Sequence, residues 1–291
     1  MNVRFRPTAA PWRASSSLLV CIAALCCLLL VTPCHGAVPC RAAICVDFDS
    51  GQIYYSQRPD TPVAPASLTK VMTMFLAMDA VKRSKVGLKD KVKVSKLAAA
   101  TGGSSMDLRR GDRVTLLQLL TGTAVASGND AAMAVAEYIG GSVSRFVTQM
   151  NAKARMLGMR NTVFRNPTGL PAEGQKTSAR DMATLARAYL RTHPGARNIH
   201  GLTFFRYRGR MHSATNSLLD GGMAGVDGLK TGWTVASGYN IIVTANRRGK
   251  RLVAVVLGAR NKDRRDDAVR RLLSMGERGG VRKAVKAKRR R

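Results

Sequence analysis

A serine and a lysine stand three residues apart at the start of a segment that is apolar nearly all round. Ser67 and Lys70 begin the stretch 67–81, in which the only other charge is Asp79 near its end. An apolar helix of this kind lies in a protein interior, and residues three apart share one of its faces. Desolvation would lower the pKa of Lys70 and make its amine a base for the serine hydroxyl; the alternative is a lysine whose charged end reaches the surface.

Two further clusters bear on whether Lys70 is a buried base or reaches the surface. Ser127-Gly128-Asn129 interrupts the helical middle of the chain, and Lys230-Thr231-Gly232 lies ahead of the last predicted hairpin. Taken singly, the first cluster is an ordinary helix stop and N-cap, and the second is an exposed basic edge strand. Their order and spacing along one chain make the combination specific and favour a serine–lysine catalytic site.

In combination the clusters resemble the motifs of the penicillin-binding-protein and serine β-lactamase superfamily. The longer strings around them resemble the low-molecular-mass D-alanyl-D-alanine carboxypeptidases of the S11 peptidase family. The matching strings are Pro65-Ala66-Ser67-Leu68-Thr69-Lys70, Ala126-Ser127-Gly128-Asn129-Asp130-Ala131, Asn166-Pro167-Thr168-Gly169-Leu170 and Asp227-Gly228-Leu229-Lys230-Thr231-Gly232. The resemblance covers about residues 40–277 and implies removal of the terminal D-alanine from peptidoglycan stem peptides.

The resemblance implies a catalytic role for three of the matched residues. Ser67 would be the nucleophile that forms an acyl ester, and Lys70 would accept its proton. Ser127 would relay that proton to the leaving D-alanine. β-Lactams would acylate the same serine and act as inhibitors.

The remaining matched residues would bind the substrate. Asn129 would hold the substrate amide, while Lys230 and Thr231, followed by Gly232, would bind the terminal carboxylate. The backbone N–H of Trp233, together with that of the nucleophile, would form the oxyanion hole. A second ammonium at Lys230 would also depress the pKa of the catalytic lysine. The resemblance implies no metal and no cofactor, and no Cys/His cluster has metal-ligand spacing.

Strand-like runs at both chain ends enclose a helical middle. This order predicts an α/β fold of the α+β kind, similar to the serine β-lactamases and DD-peptidases: an antiparallel sheet from both chain ends, flanked by helices, with an inserted all-helical subdomain. Predicted strands cover 43–48, 52–55, 92–95, 203–207, 239–246 and 251–258. Predicted helices cover 67–81, 115–123, 129–138, 143–157, 178–191 and 263–275.

The N-terminus predicts export. A basic leader precedes an uncharged apolar run, 18–31, which is short for a membrane span and suits a signal peptide that ends at Gly36; an uncleaved anchor is the alternative. The expected organisation is a signal peptide at 1–36, a DD-peptidase domain at 37–277 and a basic, disordered tail at 278–291. The protein is therefore expected in the periplasm or cell envelope.

The charge balance indicates polyanionic partners. Lys and Arg number 48 against 17 Asp and Glu, a net charge of +31. Export removes nucleic acid as an expected partner, so the tail is expected to attract an anionic membrane surface or the carboxylates of peptidoglycan. Four of the six cysteines lie in the leader. Cys40 and Cys45 are expected to be unpaired, with a small disulfide between them as the alternative in an oxidising compartment.

Single residues argue against two rival enzyme classes. A class A β-lactamase needs a deacylating glutamate with a nearby asparagine, and Glu173 has no such partner. A Ser-His-Asp hydrolase is disfavoured because His193, His200 and His212 lie near no motif. A DD-endopeptidase of the same family stays open, as does a non-enzymatic basic protein that binds cell wall or lipid.

Two features depart from the family pattern. Some members place an arginine near the active site where Ala214-Thr215-Asn216 stands here. Many also continue into a second, β-rich domain, for which the segment after Lys230 is expected to leave no room.

Overall fold

The structure, a computed structural model, describes Met1, residues 37–219 and residues 222–288, with side chains to residue 279. Its strands are β1 (Ala42–Asp47), β2 (Ile53–Gln57), β3 (Lys91–Lys93), β4 (Arg113–Thr115), β5 (Phe204–Tyr207), β6 (Arg210–Ser213), β7 (Val226–Thr234), β8 (Gly238–Arg247) and β9 (Lys250–Ala259). Its α-helices are α1 (Lys70–Lys82), α2 (Lys96–Ala99), α3 (Leu116–Ala124), α4 (Asn129–Gly140), α5 (Val143–Met156), α6 (Ala179–Thr192), α7 (Arg197–His200) and α8 (Lys262–Lys288).

The central sheet joins the two ends of the chain. Its five strands run in the order β2-β1-β9-β8-β7, and every neighbouring pair is antiparallel. Side chains alternate between the two faces: Val253 and Val255 of β9 lie in the core shared with the helical region, whereas Ala254 and Val256 lie under α8. The predicted sheet from both chain ends is confirmed. It also includes β7 at one edge, a strand that the predicted elements did not contain.

Helices α3, α4, α5 and α6 pack around α1. The prediction that α1 is interior is confirmed, since Met72, Met74 and Phe75 are all buried. Local signals set the helix starts: the Thr115 hydroxyl accepts a hydrogen bond from the Gln118 N–H in a capping box, and Ser178 caps α6. The predicted helical subdomain is therefore present, with boundaries close to those expected.

The short strands were harder to predict. β3 pairs with β4, and β5 pairs with β6, but the sequence predicted no strand at β4 or β6. The β3–β4 ladder is only three residues long, and each strand buries a single valine, Val92 or Val114. Such a strand carries too little apolar alternation for its pattern to stand out.

The last helix is longer than predicted. An end at Met275 was expected, but α8 continues to Lys288. Close packing is the reason, because a Cβ on Gly276 would lie 2.7 Å from the Leu252 side chain and one on Gly279 would lie 2.7 Å from Tyr54. These glycines let the helix approach the sheet. The backbone of 278–288 is thus helical where an irregular tail was predicted.

Other expectations concern the chain ends and the cysteines. The predicted signal peptide lies outside the described residues apart from Met1, and so does the end of the basic tail. Cys40 and Cys45 are both free and buried, as expected. In the described part of the chain, we find no helix with the length and apolar character needed to span a bilayer.

Candidate active site

Ser67, the predicted nucleophile, stands in a strained turn immediately before α1. Residues Ala66–Thr69 form a 3₁₀ turn, so Ser67 precedes the α-helix in which it was expected. Ala66 has a φ of 48°, a conformation that L-residues rarely adopt. Gly169 lies against this turn, and a Cβ on it would fall 1.8 Å from the Ala66 carbonyl oxygen. The contact explains why the sequence needs a glycine in the Asn166–Leu170 loop.

Lys70 lies directly beneath the serine. Its side chain is fully buried, and its Nζ is 2.8 Å from Ser67 Oγ, 2.6 Å from Asn129 Oδ1 and 2.7 Å from the Thr168 carbonyl oxygen. Burial holds the pKa of Lys70 well below its ordinary value, and the positive charge of Lys230 lowers it further, against a smaller opposing effect of Asp130. A neutral amine here donates to the two carbonyl oxygens, so its lone pair faces the serine hydroxyl.

The turn between α3 and α4 holds the second motif. Ser127 has a φ of 58°, which directs the chain sharply into α4. The Asn129 amide is engaged at both ends, because its Oδ1 accepts from Lys70 and its Nδ2 donates to the Gly102 carbonyl at 2.7 Å. The geometry thus gives Asn129 a role in positioning the lysine. Its predicted contact with a substrate amide stays a prediction.

The third motif lies on the edge strand β7. Lys230 is buried, and its Nζ donates to the Thr231 carbonyl at 3.1 Å. Burial lowers the pKa of Lys230 to about 7, and the charge of Arg265 contributes. Gly232 faces the nucleophile, since a Cβ at this position would lie 2.9 Å from the Ser67 backbone nitrogen. Any larger residue would crowd the space in front of that N–H group.

These elements enclose a cavity of about 350 Å³. Of the predicted site residues, the following line it: Ser67, Ser127, Thr231, Gly232 and Trp233. Lys70, Asn129 and Lys230 do not line the cavity; they lie buried behind its wall. The structure therefore brings all eight predicted residues to one place, in two layers.

The sequence did not point to Arg265, which also lines the cavity from α8. Its side chain is 3% exposed, its Nε donates to Asp266 Oδ1 at 2.7 Å, and its Nη2 lies 3.3 Å from Ser217 Oγ. A signal for it exists: Arg265 occupies the helical stripe that continues with Ala268 and Leu272, which are fully buried. An arginine in an otherwise apolar stripe marks a guanidinium turned inward.

Thr215 and Ser217 are further cavity residues that the sequence did not single out. The Thr231 hydroxyl donates to Thr215 Oγ1 at 2.7 Å, which fixes the orientation of the threonine in the third motif. Ala214 and Thr215, in the segment noted as lacking the arginine of some relatives, thus line the same cavity as Arg265.

The rival catalytic residues lie elsewhere. Glu173 is exposed and does not line the cavity. His193 contacts Asp79 Oδ1 at 2.7 Å, and His200 contacts the Leu229 carbonyl at 3.0 Å, so both are engaged away from the nucleophile. In the described part of the chain, no group of His, Cys, Asp and Glu could hold a metal ion.

A serine above a buried lysine, beside an edge strand that carries Lys-Thr-Gly, defines the serine–lysine class shared by DD-peptidases and serine β-lactamases. Within that class, residues 31–261 match the Peptidase_S11 family, described as D-alanyl-D-alanine carboxypeptidase, and the chain belongs to this family. The fold and family expected from the sequence are confirmed.

Individual relatives agree with this assignment. The chain is 40% identical over 246 residues to D-alanyl-D-alanine carboxypeptidase DacC of Escherichia coli, a match that covers 82% of this chain and 62% of the relative. Penicillin binding protein 5 of Haemophilus influenzae superposes with a TM-score of 0.81 at 34% identity, over 84% of this chain and 72% of that one. Penicillin-binding protein D2 of Listeria monocytogenes in an ampicillin-bound form gives a TM-score of 0.75 at 29% identity, over 82% and 98%.

The matches also differ in extent and in named activity. The chain spans about three fifths of the length of the curated carboxypeptidases it matches, 61% and 62% for two of them. It is also 30% identical to a D-alanyl-D-alanine endopeptidase of Pseudomonas aeruginosa, over 74% of this chain and 70% of the relative.

Proposed function

We propose that this protein is a serine-type D-Ala-D-Ala carboxypeptidase that removes the terminal D-alanine of peptidoglycan stem peptides and is acylated by β-lactams. One observation carries the proposal: the fully buried Nζ of Lys70 lies 2.8 Å from Ser67 Oγ at the floor of a cavity. A serine hydroxyl is a weak nucleophile until a neighbouring base takes its proton, and a lysine with a lowered pKa is such a base.

Acylation would begin with proton transfer from Ser67 Oγ to the neutral Lys70 amine as the oxygen attacks the carbonyl carbon of the penultimate D-alanine. The backbone N–H groups of Ser67 and Trp233 would donate to the oxyanion. Ser127, which also lines the cavity, would pass the proton to the leaving amine, and D-alanine would depart. Water would then hydrolyse the ester and regenerate the serine.

The substrate's terminal carboxylate would bind on the cationic wall. Thr231 and Arg265 line the cavity, and Lys230 lies buried behind Thr231, where its charge interacts with that of Arg265. Lys230 has only one hydrogen-bond partner in the described structure. A carboxylate there would gain charge-assisted hydrogen bonds from groups that are already held in place. This wall supports cleavage at a chain terminus, where a free carboxylate exists.

Release of D-alanine tests the function. We expect wild-type protein to release D-alanine from diacetyl-L-lysyl-D-alanyl-D-alanine and Ser67→Ala to release none. Ser56→Ala, an exposed serine on β2, serves as the matched control and should keep full activity. Equal activity in Ser67→Ala and wild type would exclude the mechanism. Absence of activity and of β-lactam acylation in wild type would favour a non-enzymatic wall-binding protein.

A DD-endopeptidase is the second candidate, supported by the similarity to the Pseudomonas aeruginosa endopeptidase. Digestion of monomeric pentapeptides beside cross-linked muropeptides separates the two activities. Preferential loss of terminal D-alanine supports the carboxypeptidase, and preferential loss of cross-links supports the endopeptidase.

We also propose that residues 1–36 direct export and that the basic end of α8 binds anionic membrane surfaces. Basic residues near such a surface contribute about 1 kcal/mol each, and salt screens that attraction. Truncation after Gly280 removes seven of these charges and keeps the contact between Gly279 and Tyr54. We expect the truncated protein to lose most sedimentation with anionic vesicles at low salt while acylation is unchanged. Retained sedimentation would refute the anchor, and a loss seen only with purified sacculi would assign the tail to peptidoglycan.

A further inference from the structure

A second cleft adjoins the active-site cavity. It has a volume of about 860 Å³ and lies at the far end of β7, where it is lined by Val235, Gly258 and the side chains of three arginines. The two cavities share Trp233 and Tyr239, whose rings lie 5.8 Å apart. A ligand that extends from the nucleophile past Trp233 would therefore enter this cleft.

The three arginines are Arg41, Arg260 and Arg264, and no carboxylate lies among the residues that line the cleft. In the described part of the chain, none of the three forms an ion pair, although Arg208 and Arg210 on the β5–β6 hairpin do. The stem of Arg41 lies across Gly258, where a Cβ would come within 2.7 Å of it, and its Nη1 donates to the Ala236 carbonyl at 3.3 Å. The chain thus holds guanidinium groups around one cleft without supplying their counter-charge.

The direction of the substrate along β7 connects the cleft to the reaction. The proposed carboxylate contacts are at Lys230 and Thr231, and Gly232 faces the nucleophile. Residues of the stem peptide that precede the scissile bond would consequently lie towards Trp233 and beyond it. That is the end of β7 at which the cleft opens.

We propose that this arginine cleft binds a carboxylate on the side chain of the residue that precedes D-alanyl-D-alanine, so that the enzyme prefers anionic stem peptides. The inference rests on the proposed function and adds the substrate class to it. Three unpaired guanidiniums offer planar, bidentate recognition of a carboxylate, which scattered surface lysines would not. The ion pairs would be solvent-exposed, so the preference should be modest and should fall as salt rises.

Two synthetic peptides test this preference. Both are Nα-acetyl-L-lysyl-D-alanyl-D-alanine; the lysine carries an Nε-succinyl group in one and an Nε-succinamoyl group in the other, so they differ only in a carboxylate. We expect wild-type kcat/KM to be about fivefold higher for the succinyl peptide at low salt. Arg260→Gln combined with Arg264→Gln should bring that ratio close to one.

The matched control removes the same charge from two arginines of α8 that lie outside the cleft. Arg271 and Arg278 are exposed and do not line either cavity. Arg271→Gln combined with Arg278→Gln should keep the wild-type ratio, which separates a local subsite from the general effect of net charge. Arg260→Lys combined with Arg264→Lys keeps the charge but loses the bidentate geometry, so it should lower the ratio part of the way towards one. This pair also decides the question if the glutamine pair does not fold, because an unchanged ratio would exclude bidentate recognition by these arginines.

The outcomes distinguish a failure of the carboxylate subsite from a failure of the proposed carboxypeptidase function. If wild type releases D-alanine from neither peptide, the proposed function fails. If it releases D-alanine from both with a ratio of one, the function stands and the cleft is no carboxylate subsite. The carboxylate subsite is likewise excluded if the control pair lowers the ratio as far as the cleft pair does.

Discussion

Two buried lysines of the active site differ in how fully the protein satisfies them. Lys70 has three hydrogen-bond partners within 2.8 Å. Lys230 is almost as buried but donates only to the carbonyl of its neighbour, Thr231, at 3.1 Å. A buried ammonium with unused donors is costly unless a ligand supplies the missing acceptors. We infer that Lys70, whose partners are complete, is suited to act as a base, and that Lys230, whose donors are largely unused, is suited to bind an anion.

The electrostatics couple the two lysines. A substrate carboxylate beside Lys230 would favour its protonated form and raise its pKa from about 7. The positive charge thus fixed at Lys230 lowers the pKa of Lys70, which keeps the base neutral. We therefore expect carboxylate binding at Lys230 to favour the neutral form of Lys70 that accepts a proton.

The largest predicted effect comes from removing the base while keeping its charge. Lys70→Arg should lower the acylation rate by about 100-fold or more, because arginine cannot release its proton and loss of a general base has that magnitude. Stopped-flow acylation with a chromogenic cephalosporin measures it. Lys82→Arg at the end of α1 is the control and should acylate normally. Near-normal acylation by the Lys70 variant would mean that this lysine supplies charge alone.

The next effect sharpens the description of the cationic wall. Arg265→Gln should lower kcat/KM for D-alanyl-D-alanine peptides by about tenfold, since a hydrogen bond to a charged group is lost. The loss should fall mainly on KM, because the guanidinium binds the carboxylate before and during the reaction alike. Arg271→Gln on the same helix is the control. A loss confined to kcat would assign Arg265 to the chemical step instead.

The smallest of the three effects concerns pH. A carboxylate needs the protonated form of Lys230, so kcat/KM should decline as pH rises through its lowered pKa of about 7. At the acid side kcat/KM should rise as Lys70, whose pKa is also lowered, becomes neutral. Lys230→Arg stays charged and should move the alkaline decline to higher pH by at least about one unit. An unchanged alkaline limb in that variant would assign the decline to another group.

Local patterns were sufficient to predict that Ser67 and Lys70 lie together. Ser67 and Lys70 are neighbours on a helical turn, so their spacing alone brings them together. The family resemblance then supplied Ser127 and the Lys230 motif, which are far away in sequence and meet only through the sheet and the helical subdomain. Strand alternation and helix caps, such as Ser178, were strong enough to predict the main elements.

Tertiary contacts explain what the sequence did not yield. Arg265 is one charged residue in a charged helix, and only the packing of α8 on the sheet turns it into the cavity. Helix α8 extends past Gly276, whose close approach to Leu252 is invisible in the sequence. The arginine cleft likewise joins residues from the start of β1 and the end of β9, which no local pattern connects.

The central claim is that Ser67, activated by Lys70, forms the acyl-enzyme. Intact-mass spectrometry after incubation with benzylpenicillin, followed by peptide mapping, tests it most directly. We expect one covalent adduct per molecule, located on the peptide that contains Ser67 and absent in Ser67→Ala. An adduct on any other residue, or no adduct on folded wild-type protein, would contradict it.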